Sequence, residues 1–327
     1  MSTQPTFILE STDLDTRVGP GALRRLTEAW PRRATVRGDL SWLTPAGDYD
    51  PRLPDYPTRL LPFAEHPLFT EAPERQRLRV GTLAWLFYNE RVIEVEEAVV
   101  NPTFEMLARG RFPGLGGHEV REAAKQAQVD EVWHTYLHML ALHRSREARM
   151  VEAEPDYANS VTARRLREFQ AAASESWERD LLALLWTTVA EVSVSAYLEL
   201  LAADGTVQAV NSLVCRMHSR DESAHGPVMH ELVKRSFASM SAEQKNAFVR
   251  FLPEAVKAFG AEDFDLWPDI LRTAGIERAR EIVEDCRGRP EAEYLVTDYS
   301  GVQRLLDDLG IADRIDFEFP VARPAGV

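Results

Sequence analysis

A chain of 327 residues, 45% of them hydrophobic, has enough apolar side chain for a sizeable core, in one large domain or two medium ones. Its formal charge is -14, from 52 acidic against 38 basic side chains. With no dense Lys/Arg run, that balance argues against nucleic acid, whose binding draws on concentrated positive charge. Only two cysteines occur, Cys215 and Cys286, too few for a disulfide framework or a thiolate-held cluster.

The first fifteen residues, MSTQPTFILESTDLD, lack the basic start and apolar stretch of a secretory signal, so cytoplasmic residence is expected. Residues 1–72 are rich in proline and turn formers, with one short helix expected in GALRRLTEAW, and read as a wrapping segment. From about residue 74 apolar residues recur three and four apart, which predicts helices over 74–100, 118–149, 161–173, 175–203 and 206–239. PGLGG at 113–117 precedes a helix and follows no strand, so it is a turn and no phosphate loop. The run 181–201 has the length of a membrane span, but Glu191 at its centre and Glu199 near its end make a buried soluble helix the better reading.

Shorter helices are expected near 241–259, 266–274, 276–287 and 300–309, with a short extended piece at 293–297. The class is all-α. A single helical domain spans 1–327, with a C-terminal extension from about 288.

Two elements carry chemistry. QVDEVWHTYLHML sets Glu131 and His134 three residues apart, so both lie on one helix face. MHSRDESAHG supplies Glu222 and His225 in the same way and adds His218 four residues earlier. At 100° per residue these three fall within about 60° of one another around the helix. Ferritin-like dimetal bundles use two such Glu-x-x-His pairs plus one inward glutamate from each of two further helices. Glu191, inside an apolar run, is one of those glutamates, because a lone buried carboxylate is costly without a cation.

The first helix offers Glu90, Glu94, Glu96 and Glu97. Glu90, Glu94 and Glu97 share a face that reads as solvated. Glu96 continues the stripe of Trp85, Asn89, Val92 and Val99 and is the inward choice, with Glu97 as its alternative. His66, His118, His138, His143 and His230 lack partners at ligand spacing. Of these, His138 lies one turn after His134, where it can support a ligand from behind. Cys215 reads as a small buried apolar residue.

On PDYP, PFAEHPLF, YNERVIEVE, VDEVWHTYLHMLA, WERDLLALLWTTVAE, HSRDESAHG, DYSG and DFEFP the sequence resembles the diiron arylamine N-oxygenases. The resemblance implies a ferritin-like four-helix bundle with additional helices. It implies that Glu96, Glu131, His134, Glu191, His218, Glu222 and His225 hold two iron ions, with manganese as an alternative. It also implies dioxygen as co-substrate, an external electron donor in the form of a separate reductase, a homodimer, and a place in natural-product biosynthesis. The substrate would be an arylamine, oxidised to a hydroxylamine, nitroso or nitro product.

Tyr88 and Arg91, a turn or so before Glu96, are the candidates for substrate-facing polar groups. At Thr297 the family's type member, a p-aminobenzoate enzyme, has an arginine that helps hold the substrate carboxylate. A threonine cannot make that bidentate contact, so a different arylamine is expected, longer or carrier-bound. Rival readings are a hydroxylase or desaturase on the same bundle, a radical generator using Tyr136 or Tyr197, and an iron store. The extra His218 speaks against the first.

Overall fold

The apolar runs form helices whose ends are set by local chemistry, in a computed structural model that describes residues 19, 21–38, 49–157, 159–289 and 298–319. In chain order they are α1 (Ala22–Arg33), the short α2 (Pro67–Thr70), α3 (Glu74–Val95), α4 (Asn101–Ala108), α5 (His118–Arg149) and α6 (Val161–Ala172). There follow α7 (Ser176–Ala202), α8 (Ala209–Ser239), α9 (Ala242–Gly260), α10 (Trp267–Thr273), α11 (Ala279–Cys286) and α12 (Ser300–Leu309). Among the described residues there is no β-strand, so the protein is all-α. The extended piece expected at 293–297, Thr297 with it, and the N-terminal fifteen residues lie outside the described residues.

Capping fixes several starts. Ser160 accepts from the Ala163 N–H ahead of α6, and Ser241 with Gln244 closes a capping box on α9. The helix expected from 206 begins only at Ala209. Gln208 is drawn off, its N–H to the Pro54 carbonyl and its side-chain amide to those of Asp50 and Leu53. The helix expected over 74–100 does not end there. It passes through a π turn, Glu96–Val100, and continues as α4. Pro102 accounts for the break, since it has no N–H for the carbonyl four residues back and its ring crowds that carbonyl.

α3, with its π turn and α4, packs with α5, α7 and α8 into a four-helix core, and the α7–α8 pairing is the most extensive. Gly226 makes that pairing close: a Cβ there would lie 3.1 Å from the Glu191 carbonyl oxygen. Gly301 does the same for α12, where a Cβ would run into the Val192 carbonyl. Two glycines thus seat two helices on α7 beside one glutamate. α1 lies across α5 and α8, and α6 and α9 cover α7. α7 is, among the described residues, the one helix long and apolar enough to cross a membrane, and 78% of its most apolar window is buried inside the fold. One cluster of buried apolar side chains runs from Leu23 in α1 to Ile311 after α12.

Candidate metal centre

The four core helices turn carboxylates and imidazoles toward one another in the buried interior of the bundle. Glu96 starts the π turn, Glu131 and His134 come from α5, Glu191 from α7, and His218, Glu222 and His225 from α8, all of them buried. Their donor atoms fall into two groups, Glu96 with Glu131, His134 and His218, and Glu131 with Glu191, Glu222 and His225. Within each group the atoms lie within 4.8 Å of one another. Glu131 belongs to both. Glu222 also spans them, its Oε1 being 3.5 Å from His134 Nδ1, 3.4 Å from His218 Nε2 and 3.1 Å from His225 Nδ1. Glu97, the alternative to Glu96, is exposed.

The histidines are oriented from behind. Asp221 on α8 takes His134 Nε2 at 3.2 Å, and Asp130 on α5 takes His225 Nε2 at 3.1 Å, so each helix steadies the other's imidazole. Both aspartates are themselves anchored by the N-terminal segment. Trp30 Nε1 donates to Asp130 at 3.0 Å, the Thr35 N–H and hydroxyl donate to Asp221, and Arg33 reaches both carboxylates. With Nε2–H spent on an aspartate, the Nδ1 of each ring faces the glutamates.

His218 is held differently. Asn89 Nδ2 donates to the Trp85 carbonyl at 2.6 Å, which leaves Asn89 Oδ1 as an acceptor for His138 Nδ1–H at 2.7 Å. His138 Nε2 is then a lone pair, 2.9 Å from His218 Nδ1, which must be the donor. The consequence is a lone pair on His218 Nε2, aimed at Glu222 and, at 3.6 Å, at Glu96. Acceptors face acceptors there, an arrangement a cation resolves.

The electrostatics agree. Burial, then Glu131 and its fellow carboxylates, drives Glu96 and Glu191 well above the usual carboxylate range. Burial disfavours charge on His134 too, yet Glu131, Asp221 and Glu222 outweigh it and raise the ring to about 10. His225 is raised likewise, whereas burial and the neighbouring His134 lower His218. Glu96 Oε2, Glu131 Oε1, Glu191 Oε2, Glu222 Oε2 and His218 Nε2 are buried without a hydrogen bond. Buried polar atoms are rarely left so, and five in one place fit a metal donor set of oxygen and nitrogen.

Beside this set lies a cavity of about 90 Å³, walled by Phe87, Val92, Val95, Val194 and Phe259, into which Glu96, Glu191, His218 and Glu222 open. Both expected substrate-facing residues, Tyr88 and Arg91, line it. Tyr88 is buried, its hydroxyl 3.9 Å from Cys215 Sγ. Cys215 is itself fully buried, as expected of a small apolar residue. Tyr197 lines the cavity and its hydroxyl meets that of Tyr56, while Tyr136 is exposed on α5.

Of the other histidines, His66 and His230 are buried beside Asp285 and Asp308, and His118 and His143 are exposed. Sequence reasoning missed Asp130 and Asp221, although one signal was present: each Glu-x-x-His is preceded by aspartate, in VDEVWH and in RDESAH. Arg33 and Glu262, the latter also lining the cavity, had no such mark.

A sequence model of the family described as p-aminobenzoate N-oxygenase AurF matches residues 19–310. A 4-aminobenzoate N-oxygenase of Streptomyces thioluteus is 45% identical over 303 residues, which is 93% of this chain and 90% of that protein.

Proposed function

The chain belongs to the p-aminobenzoate N-oxygenase family, and we propose that it is a diiron arylamine N-oxygenase. The observation that carries this reading is the convergence of unpartnered buried carboxylate and imidazole atoms beside a largely apolar cavity. We assign Glu96, His134 and His218 to one iron and Glu191 and His225 to the other, with Glu131 and Glu222 between them. Two ferrous ions held there would supply electrons to dioxygen, which these oxygen and nitrogen ligands suit because they serve both oxidation states. Manganese fits the same donors.

The protein's own work is orientation and exclusion. Phe87, Val92, Val95, Val194 and Phe259 give the site apolar walls, against which an aromatic ring would lie with its amine toward Glu96 and His218. Forming a hydroxylamine inserts one oxygen atom of dioxygen into an N–H bond, and the other leaves as water with two protons and two electrons. Those electrons come from an external donor, a separate reductase.

Further oxidation to nitroso or nitro products, in natural-product biosynthesis, uses the same geometry. The working unit is a single helical domain, cytoplasmic and homodimeric. The exposed stripe Val129, Val132, Tyr136 and Met139 on α5 supports the dimer.

The test is anaerobic loading with ferrous iron, then oxygen with and without an aniline, followed by absorbance and mass spectrometry. Two irons bound and an N-oxygenated product are expected. Two irons without nitrogen oxidation would remove the amine from the reading and leave an oxygenase of another substrate class.

A further inference from the structure

Two of the metal-facing rings are steadied from outside the four-helix core, by a segment that supplies no donor to either metal-facing group. α1 and the single turn Thr35–Arg37 lie along α5 and α8. There they meet Asp130 and Asp221, both fully buried, which accept from the Nε2–H groups of His225 and His134.

Arg33 stands between the two aspartates. Its Nη2 lies 3.6 Å from Asp130 Oδ2, while its Nη1 lies 3.4 Å from Asp221 Oδ1 and donates to the Asp221 carbonyl at 3.1 Å. Among the described residues it is the only Lys or Arg ion-paired with either carboxylate, and its own side chain is 7% exposed. A rigid planar fork can serve two acceptors at once, whereas an ammonium on a flexible stem is a single point charge. Trp30 Nε1 donates to both oxygens of Asp130 at 3.0 Å. Thr35 donates to Asp221 from its N–H at 3.1 Å and from its hydroxyl, which in turn accepts from Trp133 Nε1 at 2.9 Å. The seam between α1 and the core keeps a space of only about 10 Å³, walled by Leu26, Trp30, Arg33, Ala224, His225 and Val228. α1 is thus the outer wall behind His225.

We propose that Arg33 is a positioning residue for the metal centre, clamping Asp130 and Asp221 together so that docking of α1 and binding of metal are linked. This rests on the metal-centre part of the N-oxygenase reading and not on the amine. When α1 lifts, both aspartates lose the donors that fix them and can turn away from the rings. His225 and His134 then lose the acceptors that keep their Nδ1 atoms toward the glutamates. Metal binding and α1 docking strengthen each other by one common factor, because coupling between two equilibria is reciprocal. A partner behind a metal-holding histidine is typically worth about 10- to 100-fold in metal affinity, and Arg33 acts on two such partners at once.

The experiment uses the full-length chain and cobalt(II), which binds such donors at least as tightly as ferrous iron and whose visible spectrum reports its coordination. Affinity is read by competition with a chelator, coordination from the spectrum, and α1 docking from hydrogen exchange of its amides with and without cobalt. The wild-type chain should bind two ions, and its α1 amides should exchange at least about tenfold more slowly once loaded. Arg33→Met, which keeps an unbranched stem without the fork, should bind cobalt about 10- to 100-fold more weakly, with an altered spectrum, and should lose most of the α1 response. Arg33→Lys, which keeps the charge but not the fork, should stay closer to Arg33→Met than to wild type. Arg32→Met, at an exposed position on the same helix, should match wild type in all three readouts. Wild-type affinity and spectrum in Arg33→Met, or recovery to wild-type affinity in Arg33→Lys, overturns the proposal. Two ions bound with α1 exchange indifferent to them removes the linkage and leaves the metal reading intact, whereas a chain that binds no cobalt loses both. Should the Arg33 variants not fold, Trp30→Phe decides. It removes an N–H from Asp130 alone and should weaken one of the two ions by about tenfold or more, and unchanged affinity for both overturns the proposal.

Discussion

Each metal-facing imidazole leans on a different kind of partner. His134 and His225 each pair with an aspartate, an anionic acceptor that strengthens the ring as a ligand, while His218 donates to the neutral His138. His218 should therefore be the more weakly held donor, yet still a direct one. His218→Ala is expected to lower iron occupancy more than His138→Ala, whose effect should stay within the roughly 10- to 100-fold affinity loss usual for a supporting hydrogen bond. Inductively coupled plasma spectrometry after equilibrium dialysis measures both, and equal, small losses would take His218 out of the ligand set. At this scale the sequence was informative wherever helical period governs. Glu96 was separable from Glu97 because one extends an apolar stripe and the other does not. Asp130 and Asp221 escaped because each points away from its own helix's glutamate to a ring on a neighbouring helix, and only their place just before each Glu-x-x-His marks them in the sequence.

Among the elements, α7 carries the most constraint, because α8 and α12 both approach its backbone beside Glu191 through a glycine. In Gly226→Ala the new Cβ, 3.1 Å from the Glu191 carbonyl oxygen, must push α7 and α8 apart by a few tenths of an ångström. We expect a loss of about 1–3 kcal/mol, the usual cost of overpacking, together with fewer irons bound per chain, since Glu191 and His225 flank the contact. Urea denaturation and iron analysis check the two parts, and a variant with the wild-type midpoint and full iron would show that the contact is slack. Helix positions were readable from periodicity, and most ends fell within a few residues. The π turn was not, because it depends on how Pro102 is accommodated next to α7, whose Thr187 hydroxyl donates to the Val99 carbonyl. The role of α1 was also hidden. Read as wrapping, it delivers Trp30 and Arg33 to the aspartates behind the metal-facing rings.

Across the whole molecule, four glutamates meet inside an apolar bundle, and their mutual repulsion opposes the folding that brings them together. Cations bound only by the folded state reverse that. At a free concentration near a thousand times the dissociation constant they add about 4 kcal/mol, which for a chain of this size corresponds to a rise of roughly 5–15 °C in Tm. Calorimetry of the iron-loaded protein before and after chelation measures the difference, and an unchanged Tm would mean that the glutamates do not depend on metal. The all-α class, the helix order and the seven converging side chains were legible because they follow from repeating patterns. The far wall of the cavity was not, since Tyr56, Glu262 and Trp267 come from irregular segments or their edges, where no period links residues distant in sequence.

That division of the cavity bears on how such proteins diverge. Its oxidising end is built from four long helices whose side chains interlock, so almost any change there disturbs several donors at once. Its receiving end hangs on the segment around Tyr56 and on the turn between α9 and α10, which contribute no donor to either metal-facing group. Mutation can thus explore new partners for the ring while leaving the redox machinery untouched, and descendants of one ancestral fold can trade substrates without having to reinvent the chemistry.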